Sequence, residues 1–422
     1  MKIVLTGGGT GGHITPLLAV AQELKRRNGE IEIIAICERG SSFAHLLFDE
    51  PSISAVYQIK AGKLRRFGGQ SIIRSVIDIK SNLYNLRDSG YTVQGIWQSW
   101  RLLKRLNPDV IFIKGGFVGV PVGLAAAKLK IPFITHDSDT TPGLANRIIA
   151  RWAYKHATGM PVDFYPYPAS KTVFSGIPVS AAYKLVTATV RQEQGTSLGL
   201  SACKEVIAIT GGSQGADKLN SSFGSIVARL MQQRKHLGII HIVGTKNEAK
   251  MQRFYANELL ADEQRRLVVR GFVSDLYRYS AAADLIVTRA SATSLAEFGI
   301  QRLPCIVVPA NLAGGHQVIN ARHLKDSSAV EVVDEGDSEA LYREICRLLD
   351  DPKARKNLAA KLSLTTKPQA AEILADMIIE TASTDKKSGD RAIKHRDSSA
   401  DKKSGAESEI TEKGGSKDAT KE

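Results

Sequence analysis

The sequence has no run of about 18 consecutive apolar residues, so no membrane-spanning helix is expected. Its most apolar region, Val110–Thr135, is interrupted by lysine, glycine and proline, which favours a strand–loop–helix–strand unit. Met1 and Lys2 lead directly into a short β-branched run, so we expect no secretory signal peptide. These absences together indicate a globular protein without an integral membrane segment.

Cysteine is scarce, and its spacing does not match the usual disulfide or metal-binding patterns. The four cysteines are Cys37, Cys203, Cys305 and Cys346, and no two of them form a C-x-x-C pair. We therefore expect reduced, mostly buried thiols in a cytoplasmic protein, with no role as metal ligands or catalytic nucleophiles.

Acidic residues are outnumbered by basic ones, and the imbalance is concentrated in one segment. The net charge is +14, and residues 60–105 contain ten lysines and arginines against two aspartates. A basic segment can contact nucleic acid, an anionic membrane surface or an acidic ligand, and it can also be a solvated helix face. No nucleic-acid-binding module is recognisable, so nucleic acid is not an expected partner.

Short β-branched runs alternate with segments of helical periodicity along most of the chain. Because many of these runs are apolar throughout, they predict strands buried on both faces of a parallel sheet. The predicted strands are Lys2–Thr6, Ile31–Cys37, Asp109–Ile113, Pro132–His136, Glu205–Thr210, Ile239–Val243, Leu267–Gly271, Asp284–Thr288 and Pro304–Val308. The helices predicted between them include Pro16–Arg27, Val122–Lys130 and Ala292–Gln301. The alternation predicts an α/β fold with parallel sheets.

The chain divides into two similar halves followed by a polar tail. Each half opens with a strand, a glycine-rich loop and a helix, and a segment rich in proline and glycine places their junction near residues 176–182. We predict an N-terminal domain over residues 1–178 and a C-terminal domain over residues 179–365. A helix at 366–382 is expected to pack back on the N-terminal domain. Residues 383–422 have almost no large apolar side chains and repeat the motif DKKSG, so they are predicted to be disordered.

Three glycine-rich loops follow predicted strands and are the main candidates for binding phosphate. They are GGGTGG at Gly7–Gly12, KGGFVG at Lys114–Gly119 and GGSQGA at Gly211–Ala216. The backbone N–H groups of such a loop, together with the N-terminus of the following helix, can bind an anion. Any one of the loops alone could equally be a tight strand-to-helix turn.

The first loop can be compared with three kinds of phosphate site. A Walker A loop would end in Gly-Lys-Ser/Thr, and here His13 follows Gly12, which excludes that site. A dinucleotide site needs an acidic residue after the second strand, and Glu38 keeps that alternative open. A sugar-nucleotide enzyme with two facing Rossmann-like domains accounts for all three loops, because two could hold one diphosphate and the third another across a cleft.

Six motifs along residues 1–380 resemble, in the same order, those of the bacterial MurG family of N-acetylglucosaminyl transferases. They are GGGTGGHITPLLAVA, PDVIFIKGGFVGVPVGLAA, IPFITHDSDTTPGLANR, GGSQGADKLN, RASATSLAEFGIQRLP and GGHQVINA. The resemblance implies the two-domain glycosyltransferase B (GT-B) fold. It also implies inverting transfer of N-acetylglucosamine from UDP-N-acetylglucosamine to the 4-hydroxyl of undecaprenyl-diphosphate-linked muramyl pentapeptide, the step from lipid I to lipid II in peptidoglycan synthesis. No cofactor and no bound metal are implied for this chemistry.

The resemblance also implies site residues on both sides of the expected cleft. Glu297 is expected to accept hydrogen bonds from the ribose hydroxyls, and the backbone of Val273 is expected to contact uracil. The residues expected at the UDP diphosphate are Gly212, Ser213 and Gln214. The other implied donor-site residues are Thr10, Gly11, Gly12, Asp139, Ser180, Ala292, Thr293, Ser294, Leu295, Ala296, His316, Gln317 and Asn320. The acceptor diphosphate is expected to lie against Gly9, Gly115 and Gly116, with Thr10 to His13 facing the reacting centre.

His13 and Asp137 are the implied catalytic residues. A histidine of ordinary pKa, about 6.5, can take the proton of the attacking hydroxyl as a neutral imidazole. The alternative for His13 is a residue that only caps the loop or bonds the acceptor, and Asp137 is a second candidate base or hydrogen-bonding group.

Two motifs differ from the family pattern at residues expected to lie near the substrates. The usual HEQN reads HDSD at His136–Asp139, and an ionised Asp139 would lie unfavourably close to a diphosphate. The usual GNPVR reads GIPVS, so Ser180 replaces an arginine that contacts the nucleotide in the family.

The basic segment also contains apolar residues at helical spacing, which is compatible with a peripheral membrane helix. They are Ile72, Ile73, Val76, Ile77, Leu83 and Tyr84, with Arg74, Lys80 and Arg87 between them and Trp97 and Trp100 nearby. Because the acceptor's isoprenoid tail lies in the membrane, the resemblance implies peripheral binding to the anionic cytoplasmic face of the cell membrane. A buried amphipathic helix of the first domain is the alternative.

Several other functions remain open at the level of sequence. They are a related GT-B transferase with another lipid or glycan acceptor, a UDP-N-acetylglucosamine epimerase, a dinucleotide-dependent oxidoreductase and a non-catalytic nucleotide-sugar-binding protein. Stabilisation by UDP but not by NADH would separate the oxidoreductase from the others.

Overall fold

The computed structural model describes residues 1–62, 79–212, 215–311 and 315–384, and for residues 79–86 it describes the backbone alone. These residues form two parallel β-sheets, one of seven strands and one of six, each flanked by helices. The predicted α/β class with two Rossmann-like sheets is therefore confirmed. The predicted disordered tail lies, from residue 385 on, outside the described residues.

The first sheet has the strand order β3-β2-β1-β4-β5-β6-β7, and every strand pair in it is parallel. Its strands are β1 Lys2–Gly7, β2 Glu32–Glu38, β3 Ala55–Ile59, β4 Val110–Gly115, β5 Phe133–Asp137, β6 Lys155–Thr158 and β7 Thr172–Phe174. Its helices are Gly11–Arg27, Ala44–Phe48, Ile79–Leu106, Gly119–Leu129 and Leu144–Ile149, with 3-10 turns at Ala150–Trp152, Val162–Phe164 and Ala169–Lys171. Because helices cover both faces, the central strands are apolar and buried along almost their whole length.

The second sheet has the strand order β10-β9-β8-β11-β12-β13 and is also parallel throughout. Its strands are β8 Glu205–Thr210, β9 Leu237–Ile242, β10 Leu267–Arg270, β11 Leu285–Thr288, β12 Cys305–Val307 and β13 Glu331–Val332. Its helices are Ala188–Ser197, Asp217–Gln233, Glu248–Glu258, Ala261–Gln264, Leu276–Ala281, Ala292–Gln301, His316–Asp326, Ser338–Asp350 and Pro352–Leu364, with a 3-10 turn at Thr245–Asn247.

All nine predicted strands are present, with small shifts at their ends, whereas β3, β6, β7 and β13 were not predicted. The four missed strands are short and lie toward the edges of the sheets, and their sequences mix polar and apolar residues. An edge strand is covered less completely than a central one, so it needs no continuous apolar run. Their periodic signal is correspondingly weak.

The order of strands reverses once in each sheet, between β1 and β4 in the first and between β8 and β11 in the second. At such a switch point the loops after the two strands turn to opposite faces and leave a crevice at the carboxyl ends of the strands. The three predicted glycine loops follow β1, β4 and β8. Each loop therefore lies at one of these two crevices.

The helix Gly11–Arg27 begins earlier than the predicted Pro16, which lies inside it. Proline has no N–H to donate to the carbonyl four residues earlier, so the carbonyl oxygen of Gly12 lacks its helical donor. The hydroxyl of Thr293, in the second domain, donates to this oxygen at 3.3 Å. The proline thus leaves a carbonyl free for a contact between the domains.

The chain crosses between the two sheets twice. After the second sheet is complete, the helix 370–384 packs on the first sheet, where Leu374 and Ile378 join the core around Leu5. The two crossings lie side by side, because the side chain of Lys367 packs against Gly176 and its ammonium donates to the carbonyl of Phe174 at 2.8 Å. Within the described ranges, no helix is both long and apolar enough to span a bilayer.

Candidate active site between the two sheets

The first glycine loop is filled in part by a side chain of its own domain. The carboxylate of Glu38, at the end of β2, accepts a hydrogen bond from the N–H of Gly9 at 2.8 Å. A Cβ on Gly8 would overlap the same carboxylate. Glu38 therefore faces the loop, rather than standing free for a ribose as the dinucleotide alternative requires. Gly9, predicted at the acceptor diphosphate, lies in this loop with its N–H bonded to Glu38.

The two glycine loops of the first domain touch backbone to backbone. Gly116 has a φ of +79° and lies so close to the carbonyl oxygen of Gly8 that a Cβ would overlap it. Gly115, with a φ of +109°, faces the ring of His13 and the amide of Asn146. Both positions require glycine, and the contact brings the loops after β1 and β4 together as predicted.

His13 lies in the first turn of the helix Gly11–Arg27, with its Cε1 atom beside Gly115. Although part of the residue is exposed, its Nδ1 atom is buried and has no hydrogen-bonding partner among the described residues. Burial, followed by the charge of Lys114, lowers the pKa of His13 to about 3. The imidazole is therefore neutral at physiological pH, as a proton acceptor must be.

Lys114 is a charged residue of this site that the sequence analysis did not single out. It ends the otherwise apolar run of β4 and is 2% exposed. Its ammonium donates to the hydroxyl of Ser138 at 2.8 Å. Burial lowers the pKa of Lys114 to about 8, although the carboxylates of Asp139 and Asp137 oppose the shift. The sequence signal for this residue was a single lysine at the end of an apolar run, directly before two glycines.

Asp137 ends β5, and both of its carboxylate oxygens accept hydrogen bonds. Oδ1 accepts from the N–H of Gly143 at 2.9 Å and the amide of Asn146 at 3.0 Å, and Oδ2 accepts from the hydroxyl of Tyr167 at 2.8 Å. Burial raises the pKa of Asp137, and these donors oppose the rise. The geometry favours Asp137 as the group that positions the loop 138–143, because its oxygens are already engaged.

His136 is fully buried beside Asp137 and acts at the junction of the domains. Its Nε2 atom bonds the carbonyl oxygen of Gly176 at 2.9 Å, so the proton lies on Nε2. Burial holds the pKa of His136 well below its ordinary value. The neutral ring therefore ties the end of β5 to the first crossing between the domains.

The side chain of Asn320 forms hydrogen bonds to residues of both domains. Its Oδ1 accepts from the N–H and the hydroxyl of Thr140 at 3.1 and 3.0 Å. Its Nδ2 donates to Oδ1 of Asp139 at 2.8 Å and to the carbonyl of Ala290 at 3.2 Å. All the hydrogen-bonding positions of the amide are thus used by protein groups. In this arrangement the amide of Asn320 bonds protein groups of both domains, and Asp139 has a neutral donor as its partner.

The helix Ala292–Gln301 faces the first glycine loop across the cleft. Its first turn includes Ala292, Thr293, Ser294 and Leu295, followed by Ala296 and Glu297, and all six are buried. Thr293 approaches Gly12 and reaches its carbonyl. This contact places the helix Ala292–Gln301 next to Gly12, in the loop that also contains Thr10, Gly11 and His13.

Glu297 is buried in the middle of that helix. Burial raises its pKa to about 8, and a hydrogen bond from Tyr183 opposes the rise. The same burial raises the pKa of the Tyr183 hydroxyl well above its ordinary range. The Glu297 carboxyl group is therefore largely protonated at neutral pH until a further hydrogen-bond donor reaches it.

The remaining predicted donor-site residues lie around this helix. Gln317 accepts from the N–H of Ala310 at 2.9 Å, and His316, in the same helix turn, is near enough for its charge to lower the pKa of His13. Gly212 has a φ of +80° and donates its N–H to the hydroxyl of Thr210 at 3.2 Å.

Of the other four predicted donor-site residues, two lie within the described residues and two do not. Val273 is half-buried and packs on the second core, and the hydroxyl of Ser180 accepts from the N–H of Ala182 at 3.3 Å. Ser213 and Gln214 lie outside the described residues.

Two tyrosines that were not predicted support the loop after β5. Tyr167 donates to Asp137, and Tyr165 donates to the carbonyl of Asp139 at 2.7 Å. Tyr167 also stacks on the ring of His156, 4.0 Å away. Within the described part of the chain, no group of three or more His, Cys, Asp or Glu side chains is arranged to hold a metal ion.

Two parallel Rossmann-like sheets, with glycine loops at both switch points, form the GT-B fold, and the family matches assign this chain to the glycosyltransferases. Residues 3–158 match the glycosyltransferase family 28 N-terminal domain, and residues 206–374 match the glycosyltransferase family 28 C-terminal domain.

A curated relative and a solved structure narrow the class. The chain is 30% identical over 385 residues to UDP-N-acetylglucosamine–N-acetylmuramyl-(pentapeptide) pyrophosphoryl-undecaprenol N-acetylglucosamine transferase 1 of Bacillus cereus, covering 90% of this chain and 98% of the relative. It is similar to the crystal structure of Acinetobacter baumannii MurG, with a TM-score of 0.64 and 25% identity over 90% of this chain and 99% of that one. The chain belongs to the MurG family of glycosyltransferase family 28, as the sequence motifs predicted.

A second solved structure shares the fold alone. The UDP-GlcNAc 2-epimerase of Neisseria meningitidis bound to UDP-GlcNAc matches with a TM-score of 0.65 but 13% identity, over 90% of this chain and all of that one.

We predict that His13 remains neutral far below the pH at which an ordinary histidine is protonated. Its depressed pKa keeps the imidazole unprotonated as the pH falls from 8 to 5. Nitrogen-15 NMR of histidine-labelled protein, with His13→Asn to assign the signal and the exposed His236 as an internal control, measures this directly. A His13 midpoint between pH 6 and 7 would contradict the structure.

Proposed function

We propose that this chain transfers N-acetylglucosamine from UDP-N-acetylglucosamine to the 4-hydroxyl of lipid-linked N-acetylmuramyl pentapeptide, with inversion and without a bound metal. The observation that carries the proposal is the contact of Thr293 with Gly12. It places the helix expected over the donor nucleotide directly against the loop that carries His13. Family membership supports the substrate classes, and this contact supports a reaction centre shared by the two domains.

The donor is proposed to bind mainly to the second domain. Its diphosphate would lie at the switch point between β8 and β11, where the loop after Gly212 leads into the helix Asp217–Gln233. The N–H groups and the partial positive charge of a helix N-terminus stabilise a diphosphate, and they do so more strongly as it departs with additional charge. Glu297 is proposed to accept hydrogen bonds from the ribose, which has two neighbouring hydroxyls to donate.

The acceptor is proposed to bind at the crevice between β1 and β4. There its hydroxyl would meet the neutral imidazole of His13, which takes the proton as the oxygen attacks the anomeric carbon from the face opposite UDP. Asp137 holds the neighbouring loop in place through Gly143 and Asn146. Closure of the domains through Asn320 would exclude water and so limit hydrolysis of the donor.

The transfer assay that tests the proposal combines radiolabelled UDP-N-acetylglucosamine with lipid-linked muramyl pentapeptide. We expect label in the lipid, and we expect His13→Ala to lower kcat by about 10²- to 10⁴-fold while UDP still binds. Free UDP should raise the thermal unfolding temperature and NADH should not. An unlabelled lipid in the presence of intact UDP binding would overturn the proposed acceptor.

The pH dependence of nucleotide binding tests the role of Glu297. The ribose hydroxyls donate hydrogen bonds and therefore favour the ionised form of Glu297. Because Glu297 is largely protonated below its pKa of about 8, UDP binding must release this proton. The affinity for UDP should therefore rise by about tenfold from pH 7 to pH 9. The neutral variant Glu297→Gln should bind UDP with little pH dependence, and an unchanged pH profile in this variant would exclude Glu297 as the titrating group.

We also propose that the first domain docks on anionic membrane from the cytoplasmic side. Val93, Trp97 and Arg101 lie one turn apart on the helix Ile79–Leu106, with Val93 66% and Trp97 56% exposed. The Arg101 guanidinium lies over the Trp97 ring, 4.8 Å from its centre. Apolar and basic groups on one exposed helix face suit a lipid interface. Residues 63–78 of the basic segment, which include the predicted Ile72, Ile73, Arg74, Val76 and Ile77, lie outside the described residues.

Vesicle flotation tests the docking surface. We expect wild type to float with phosphatidylglycerol vesicles at low salt and to be released by high salt, because screening weakens the ionic part of the attraction. The double variant Val93→Ser, Trp97→Ser should float poorly. Leu260→Ser, which removes an equally exposed apolar residue from the second domain, is the matched control. Equal flotation of the double variant and the control would rule out this surface.

A further inference from the structure

Lys114 lies at the one place in the first sheet where a ligand crevice is expected. It is the next-to-last residue of β4, which neighbours β1 across the switch point, and its Cβ lies next to Gly7 at the end of β1. A Cβ on Gly7 would also meet Leu17, so the base of the Lys114 side chain lies on the face of the sheet that the helix Gly11–Arg27 covers. Its buried ammonium group reaches Ser138, after β5, and is close enough to His13, in the first turn of that helix, for its charge to lower the pKa of His13. The dipole at the N-terminus of the helix favours an anion there.

The ammonium group of Lys114 is poorly compensated by the protein. It has three N–H donors, and only the bond to Ser138 is formed with described residues. It takes part in no ion pair within the part of the chain that the structure describes. A buried charge is costly unless it is paired and hydrogen-bonded, so the unused donors call for an anionic partner.

The nearest carboxylates are committed elsewhere. Asp137 is held by Gly143, Asn146 and Tyr167, and Oδ1 of Asp139 is held by Asn320. Both influence Lys114 electrostatically, yet neither bonds its ammonium. The two carboxylates therefore stabilise the charge of Lys114 from a distance but accept no hydrogen bond from its ammonium group.

We propose that Lys114 is an anion-binding residue of the acceptor site, and that its ammonium bonds the diphosphate of the lipid-linked acceptor between the loops after β1 and β4. This inference rests on the proposed function, which supplies the acceptor. Lys114 also accounts for the departure HDSD, because its charge offsets Asp139 beside an anionic ligand. A residue that bonds substrate in this way sets acceptor affinity rather than donor affinity.

The ionisation of Lys114 agrees with this role. The groups that face it are Asp137, Asp139 and the neutral His13 and His136. An anion bound to the ammonium favours its protonated form, so acceptor affinity is full below a pKa of about 8 and declines as the pH rises above it. Binding of UDP at the other crevice should not share this decline.

The test compares KM values for both substrates in Lys114→Met and in Lys128→Met, which removes an exposed lysine of the helix Gly119–Leu129. We expect Lys114→Met to raise the acceptor KM by about 10- to 100-fold, the loss of one charge-assisted bond. The UDP-N-acetylglucosamine KM should change by less than about threefold. Adding Asp139→Asn should restore part of the acceptor affinity, because the variant site then carries less negative charge.

Ser138→Ala separates charge from positioning, since it removes the hydrogen bond and keeps the ammonium. An acceptor KM unchanged in Lys114→Met, or raised equally in Ser138→Ala, would overturn the inference. If Lys114→Met does not fold, wild type saturated with UDP is titrated with inorganic pyrophosphate at pH 7 and pH 9.5. Weaker binding at the higher pH supports the inference, and equal binding overturns it.

The same measurements keep the two proposals distinguishable. Wild type that binds pyrophosphate in a Lys114-dependent manner but labels no lipid would refute the acceptor while supporting the anion site. Wild type that labels lipid with a Lys114-independent KM would refute the anion site alone.

Discussion

The contact between Gly8 and Gly116 is the constraint on which the first half of the site depends. Because neither position has room for a Cβ, two loops from neighbouring strands meet at the backbone. That meeting sets His13 against Gly115 and places Lys114 beneath the start of the first helix. A side chain at Gly116 would meet the carbonyl oxygen of Gly8 and separate the loops and, with them, the groups that the proposed reaction brings together.

Burial gives this cleft an unusual balance of charge. His13 and His136 are neutral because desolvation lowers their pKa values, and Glu297 is largely protonated because desolvation raises its own. Lys114 remains cationic below pH 8. A cleft arranged this way contributes few charges of its own and responds strongly to the charges of its substrates. That property suits two diphosphates that must approach the same centre.

Sequence patterns predicted nine of the thirteen described strands, the three loops and the family, because continuous apolar runs and glycine spacing are local signals. They did not predict that Glu38 and Asn320 would be used inside the protein, since their partners are distant along the chain. Lys114 was missed for the opposite reason. Its local signal is a single charge in an apolar strand. That charge can be assigned to the site only once β1 and β5 are known to lie on either side of β4.

The return of the helix 370–384 to the first sheet makes the second domain an insertion within the first. Leu374 and Ile378 complete a core that begins at Ile3, so the domain whose synthesis starts first finishes folding last. During translation, part of the apolar face of the first sheet stays uncovered until nearly 380 residues have left the ribosome. A chain truncated before residue 370 would retain a complete second sheet and a first sheet with part of its apolar core uncovered, which makes it a candidate for chaperone capture and proteolysis.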